Sequence, residues 1–172
     1  MLLALIALVL PLAGAVLSGV CGLAKVPKLA HLPAVLSFAA ASVLSLYVLT
    51  GVYHGDGELR FAADLGTWFS AGHLTANVTF TLDPLSLTML CTVTFIATWI
   101  AVFSASYMHG DAGYSRYFAV MGLFVFFMCL LVLANNLFLL VAGWEGVGLC
   151  SYLLVGYYYA KPSAAAAARK AF

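Results

Sequence analysis

Five long apolar stretches alternate with short polar joints and one long polar insertion along the chain. A helix needs about 20 consecutive apolar residues to cross the hydrocarbon core of a bilayer. The first stretch, residues 2–23, carries no charged side chain, and its Pro11 is tolerated where neighbouring helices satisfy the freed carbonyl. The second, residues 33–53, begins at Pro33, whose fixed φ suits a first helical turn. The third, residues 84–107, is opened by Asp83 as cap and Pro84 in the first turn. The fourth and fifth, 117–134 and 137–159, are separated by little more than Asn135 and Asn136, so they are expected to pack as antiparallel neighbours. The pattern predicts an all-α polytopic membrane protein with five transmembrane helices. Its divisions are 1–53 for helices one and two, 54–82 for an extramembrane loop on the outer side, 83–159 for helices three to five, and 160–172 for a basic-side tail or the start of a sixth helix.

The long insertion holds Asp56, Glu58 and Asp64, and its later part, "HLTANVTFTL", alternates as a short strand or hairpin would. A lid-like segment outside the membrane is expected. Its Asn77-Val78-Thr79 triplet would accept a glycan only in a secretory lumen. The tail, "KPSAAAAARKAF", is alanine-rich and helix-prone, and reads as an interfacial helix, a linker or the first turns of another span.

Composition agrees with this layout. The chain is 65% hydrophobic and only 8% charged, with a net charge of +1, far from the roughly one-quarter charged residues of a soluble domain. Near-neutrality and the lack of a dense basic patch exclude nucleic acid as an expected partner. Cys21, Cys91, Cys129 and Cys150 have no paired spacing and read as small apolar residues. The uncharged start is too long for a cleaved signal and reads as a retained span. Lys25, Lys28, Arg116, Lys161, Arg169 and Lys170 all fall on one side of a five-span layout, with Arg60 alone on the other. The basic side is therefore expected to face cytoplasm or matrix, with the N-terminus and the acidic loop outward.

Within this apolar chain the stretch "LLVAGWEGVGLCSYLLVG" places Glu145 near the middle of the fifth span. On a helix, Phe138, Ala142, Glu145, Leu149 and Tyr152 share one face, with Gly148 a turn from the glutamate and Gly143 and Gly146 on its flanks. Small residues admit another helix closely, so the carboxylate is expected to meet protein or internal water rather than lipid. Trp144 is expected to pack between helices. An ionised carboxylate in hydrocarbon costs at least ~2.5 kcal/mol. Desolvation raises its proton affinity and a neighbouring lysine lowers it. A group held between those influences changes protonation when its partner moves, as a proton relay requires. The competing readings are a neutral interhelical hydrogen bond and a fixed ion pair used in assembly.

Other polar positions carry less. In "SASYMHGDAGYSRYF", His109, Asp111 and Arg116 lie in and beside a basic-side loop, as a solvated turn, an entry funnel or a subunit contact. Asp83 reads as a helix cap before it reads as an ion ligand. Thr88, Thr92 and Thr94 are placed to donate to the helix backbone or to neighbours. His31, His54 and His73 fall in expected loops without ligand spacing, so no metal site is expected. "HGDG" lacks the acids of a calcium loop, and "GWEGVG" follows no strand, so neither a calcium nor a nucleotide loop is expected.

"TLDPLSLTM", "YMHGDAGYSRYF", "NNLFLLVAGWEGVGLCSYLLVGYYY" and "AAAAARKAF", in that order, closely resemble the N-terminal part of the NuoL family, the largest antiporter-like membrane subunit of respiratory complex I. Residues 1–80 match it mainly in hydropathy and layout. The resemblance implies an antiporter-like fold and assigns Glu145 to the family's proton-translocating channel. Trp144 with Gly143, Gly146 and Gly148 falls on its glycine-lined flank, and Asp83 and Arg116 on its recurrent loop-edge positions; Ala142 joins the packing residues, and His109 and Asp111 the loop or interface electrostatics, on the residue pattern itself. It implies membership of NADH:ubiquinone oxidoreductase with no redox chemistry in this chain. FMN, iron–sulfur clusters and ubiquinone would sit on other subunits, and no cofactor is expected here.

The family's later helices, including a broken seventh helix with a channel lysine, are missing from these 172 residues. The implied partners are a further fragment of the same subunit supplying those helices and that lysine, other membrane-arm subunits, and lipid. A gene split in a rearranged mitochondrial genome or a truncated sequence would each account for the length. The expected location is the mitochondrial inner membrane, with a bacterial plasma membrane as alternative. The alternative functions are a subunit of a multisubunit sodium/proton antiporter and a structural assembly subunit with a static buried glutamate.

Overall fold

A computed structural model describes residues 2–24, 26–54, 61–72 and 74–171. Lys25, Asp56, Glu58, Arg60 and His73, all used above, lie outside the described residues. Five helices are long and apolar enough to cross a membrane: α1 (Leu2–Leu23), α2 (His31–His54), α3 (Pro84–Tyr107), α4 (Tyr114–Leu133) and α5 (Leu137–Val155). A two-stranded hairpin, β1 (Phe61–Ala71) and β2 (Leu74–Leu82), stands between α2 and α3, and a short α6 (Pro162–Ala171) follows α5. The all-helical, multi-pass membrane class expected from the sequence is the one observed. His31 and His54 differ from expectation, because they are the end residues of α2 rather than loop residues.

The helices pack in the spatial order α3, α2, α1, α4, α5, with α4 also touching α3. Small residues set the closest crossings. Gly122 of α4 lies against Ala15 of α1, where an added Cβ would come 2.8 Å from the alanine's own Cβ. Hydroxyls supply the polar ties, as interhelical contacts in lipid commonly do. Ser45 and Thr94, both fully buried, meet at 3.2 Å between α2 and α3, and Ser104 and Tyr117 meet at 3.0 Å between α3 and α4. Thr88, Thr92 and Thr94 each donate to the carbonyl four residues earlier.

The two ends of the bundle are tied differently. At one end the hairpin docks on the α4–α5 joint, where the Asn135 amide donates to Thr79 O at 3.1 Å. Its strands pair antiparallel from Phe61↔Leu82 to Ala71↔Leu74, with irregular register around Asp64–Thr67. Gly66, at φ 112°, occupies that irregularity, and Gly72, at φ 61°, sits in the connecting turn; both are backbone regions that L side chains rarely enter. At the other end lie Lys28, Arg116, Lys161 and Arg169. There His31 packs edge-on to Tyr114 and Arg116 reaches Tyr157. These four basic residues therefore gather at one end of the bundle.

Candidate functional site

Helix α5 begins at Asn136, whose side-chain oxygen accepts from Leu139 N at 2.9 Å. This satisfies one of the orphan amides of the first turn. The same side chain donates through Nδ2 to Asn77 O at 2.6 Å and to Thr79 Oγ1 at 3.1 Å, so one residue fixes both the helix start and the hairpin. From there Leu139, Gly143, Gly146 and Cys150 form the buried stripe. Gly143 rests on the Leu131 backbone, 2.9 Å from where a Cβ would stand, and Gly146 rests on the Phe127 ring. These two glycines let α5 approach α4 closely.

Docking by that stripe turns Glu145 outward. It is exposed, and among the described residues no hydrogen bond or ion pair reaches its carboxylate. The surrounding open face includes Val141, Trp144, Leu149 and Tyr152, and beside Gly148 the space where a Cβ would sit is empty. Nine residues, or about 13 Å of helix, separate Glu145 from Asn136, and ten, or about 15 Å, from Val155, which places it near the middle of a ~30 Å core.

Gly143 and Gly146 serve helix packing, as their size suggests, and the helix they admit is α4; Gly148 alone of the three remains on the open side. Trp144 is 66% exposed and is not held between helices of this chain. Ala142 is half-buried at the boundary between the two faces.

The remaining candidates separate to the two ends. Asp83 caps α3 at the hairpin end in a reciprocal box, accepting from Ser86 N at 2.7 Å while its own amide donates to Ser86 Oγ at 3.0 Å. At the opposite end Asp111 accepts from Tyr157 Oη at 2.6 Å, Tyr158 Oη at 3.1 Å and Gly113 N at 2.9 Å. The Tyr157 bond, followed by that from Gly113, holds the Asp111 carboxyl below its ordinary value. Burial, then the same bond, pushes the Tyr157 phenol up. The Arg116 guanidinium donates to Tyr157 O at 3.0 Å and lies over the Tyr157 and Tyr159 rings at 5.0 and 5.3 Å. His109 is exposed in the same loop. The structure thus joins Asp111 and Arg116 through Tyr157, and leaves Asp83 and Glu145 apart from them. Tyr157 and Tyr158 were missed in the sequence, although three consecutive tyrosines just past an apolar span are the usual mark of a membrane interface.

Two family profiles match the chain. One, described as the N-terminus of chain 5 of NADH-ubiquinone oxidoreductase (complex I), covers residues 68–118. The other, the transmembrane region of NADH:quinone oxidoreductase and Mrp antiporters, covers residues 134–172. NADH-quinone oxidoreductase subunit L of Escherichia coli is 49% identical over 120 residues, 70% of this chain and 20% of that protein. Subunit L of Neisseria meningitidis serogroup A is 39% identical over 173 residues, 100% of this chain and 26% of that protein. The chain therefore spans about a quarter or less of the length of these relatives. Among solved structures, the Mrp complex from a Dietzia species has a chain that superposes with a TM-score of 0.76 at 24% identity, over 99% of this chain and 17% of its own length.

Proposed function

We propose, for a chain that belongs to the NuoL family of antiporter-like complex I subunits and matches its N-terminal portion, that Glu145 is a proton-carrying group in redox-driven proton translocation. One observation carries the proposal: Glu145 is the only carboxylate within the five spans, and α5 docks so as to leave it outside this chain's own packing. Left against lipid, the ionised form would cost about 2.5–3.5 kcal/mol. Covered by another helix with water and a cation nearby, the same carboxylate gains and loses a proton as that cation approaches and withdraws. In this reading another helix of the complex covers the carboxylate and a lysine is its basic partner, as the family resemblance implies.

Redox chemistry belongs to other subunits, where FMN, iron–sulfur clusters and ubiquinone are held, and neighbouring membrane subunits are the partners. The membrane in this reading is a bacterial plasma membrane, the alternative location above, which the bacterial source of both relatives supports. Identities of 49% and 39% to subunit L, against 24% to the Mrp chain, favour complex I over a sodium/proton antiporter.

The test is Glu145→Gln in the assembled complex, with NADH oxidation and proton uptake into vesicles measured together. The amide keeps shape and hydrogen bonding but cannot ionise, so fewer protons should move per NADH in a normally assembled enzyme. An unchanged ratio would reduce Glu145 to a static contact.

A further inference from the structure

Two voids meet at the basic end of the bundle. The first, about 390 Å³, lies between α4, α5 and α6, with Arg116 and Arg169 on its wall together with Tyr159 and Ala168. Among the described residues no carboxylate lines it. Asp111, which is near Arg116, is outside the wall and accepts from Tyr157, Tyr158 and Gly113. Arg116 uses one donor on Tyr157 O, which leaves most of its five N–H groups, and Arg169 makes a single 3.4 Å bond to Ala165 O of its own helix.

The second void, about 360 Å³, is an open apolar groove between α3 and α4, lined by Ile96, Ile100, Met121, Phe124 and Met128 among others. The two share Tyr117 and Leu154 in their walls, so the apolar groove adjoins the charged void and leads from that end toward the membrane interior. From Tyr117 to Met128 the groove follows eleven residues of α4, about 17 Å of helix, which is close to the depth of one leaflet of a ~30 Å core.

We infer that this path binds an anionic phospholipid, its headgroup phosphate on Arg116 and Arg169 and an acyl chain in the α3–α4 groove. The occupant follows from charge and polarity together. Two guanidiniums that form no ion pair with a carboxylate among the described residues attract a phosphate and repel the extra cation of a choline or ethanolamine headgroup. A soluble anion would leave the adjoining groove unfilled, and an uncharged lipid would leave the arginines without a partner. The site is independent of Glu145, which lies on the open face of α5.

The experiment uses the assembled complex, stripped of lipid in detergent and offered phosphatidylglycerol or phosphatidylcholine with the same photoreactive acyl chain. Phosphatidylglycerol should label groove residues of α3 and α4 about ten-fold more than phosphatidylcholine, and Arg169→Gln should remove most of that difference. Arg169 is exposed with one same-helix bond, so this variant keeps its fold, whereas Arg116→Gln would remove the guanidinium that holds the Tyr157 carbonyl. Inorganic phosphate at the same concentration should leave the labelling intact. Equal labelling by the two lipids, labelling outside the groove, no response to Arg169→Gln, or full displacement by inorganic phosphate would each overturn the assignment.

Discussion

Tyr157 donates its hydroxyl proton to Asp111 across 2.6 Å, joining the loop that precedes α4 to the turn that follows α5. Because Arg116 also holds the Tyr157 backbone carbonyl, the residue is tied both at its main chain and at its hydroxyl. The aromatic side chain at this position is therefore a strap across the basic end of the bundle rather than a surface decoration.

Removing the hydroxyl with Tyr157→Phe should cost about 1 kcal/mol, the low end for a bond to a charged acceptor because water reaches the carboxylate. The loss is read as a lowered Tm of the detergent-solubilised assembly. Its pH dependence has a definite sign. The Asp111 carboxyl titrates below its ordinary 3.8 when folded, so its contribution is fully present above 3.8 and is lost as pH falls through the lower folded value. In Tyr157→Phe the folded value rises toward 3.8, so the variant has less stability to lose below 3.8, and the Tm gap between wild type and variant should narrow as the solution is acidified. On the alkaline side the Tyr157 phenol titrates above 10.0, so its contribution persists below 10.0 and fades only as pH passes the raised value. A Tyr157 signal in a tyrosinate titration that ionised at or below 10.0 would contradict the strap.

Gly146→Ala should weaken the seating of α5 on α4, since its Cβ falls on the Phe127 ring. Overpacking of this kind costs about 1–3 kcal/mol. Pairing it with Phe127→Leu should recover part of the loss, and the coupling in a double-mutant cycle measures the contact directly. Purely additive Tm shifts would place the two residues out of touch.

Asn136 separates two jobs by chemistry. Asn136→Asp keeps the oxygen that caps Leu139 N but loses the donor to Asn77 O and Thr79 Oγ1, whereas Asn136→Ala loses both. Loss of the cap costs about 1 kcal/mol and each hairpin bond about 1 kcal/mol more. Hydrogen exchange should therefore rise over Leu74–Leu82 in both variants and over the first turn of α5 only in the alanine one.

The five spans were legible because each is an uninterrupted apolar run closed by a cap, a proline or a charged loop. Asp83 was read as a cap for the same local reason. Strand β1 was not seen, because "FAADLGTWFSA" has adjacent alanines and a glycine in place of clean alternation, and its pairing with β2 is a long-range fact. The apolar pattern of α5 runs on to residue 159, but the helix ends at Val155 with Gly156 as its cap, and Tyr157 and Tyr158 turn to Asp111. The face of α5 that meets α4 was the hardest to read. Gly143, Gly146 and Gly148 look equivalent in sequence, and only the positions of Leu131 and Phe127 decide which two are occupied.

Hydration of the Glu145 face gives the last expectation. Gly148 lies one turn beyond the glutamate, on the open side, with space for a larger side chain. A cysteine reacts with a water-soluble maleimide through its thiolate, which forms only where water solvates the charge. In a background with Cys21, Cys91, Cys129 and Cys150 replaced by alanine, Gly148→Cys in the assembled complex should be labelled before denaturation. Such labelling would show water beside Glu145 in the assembled complex, as the proposed proton exchange requires. A thiol that stays silent in the folded complex and reacts fully once it is unfolded would mean a dry face, on which the carboxylate can serve only as a fixed contact.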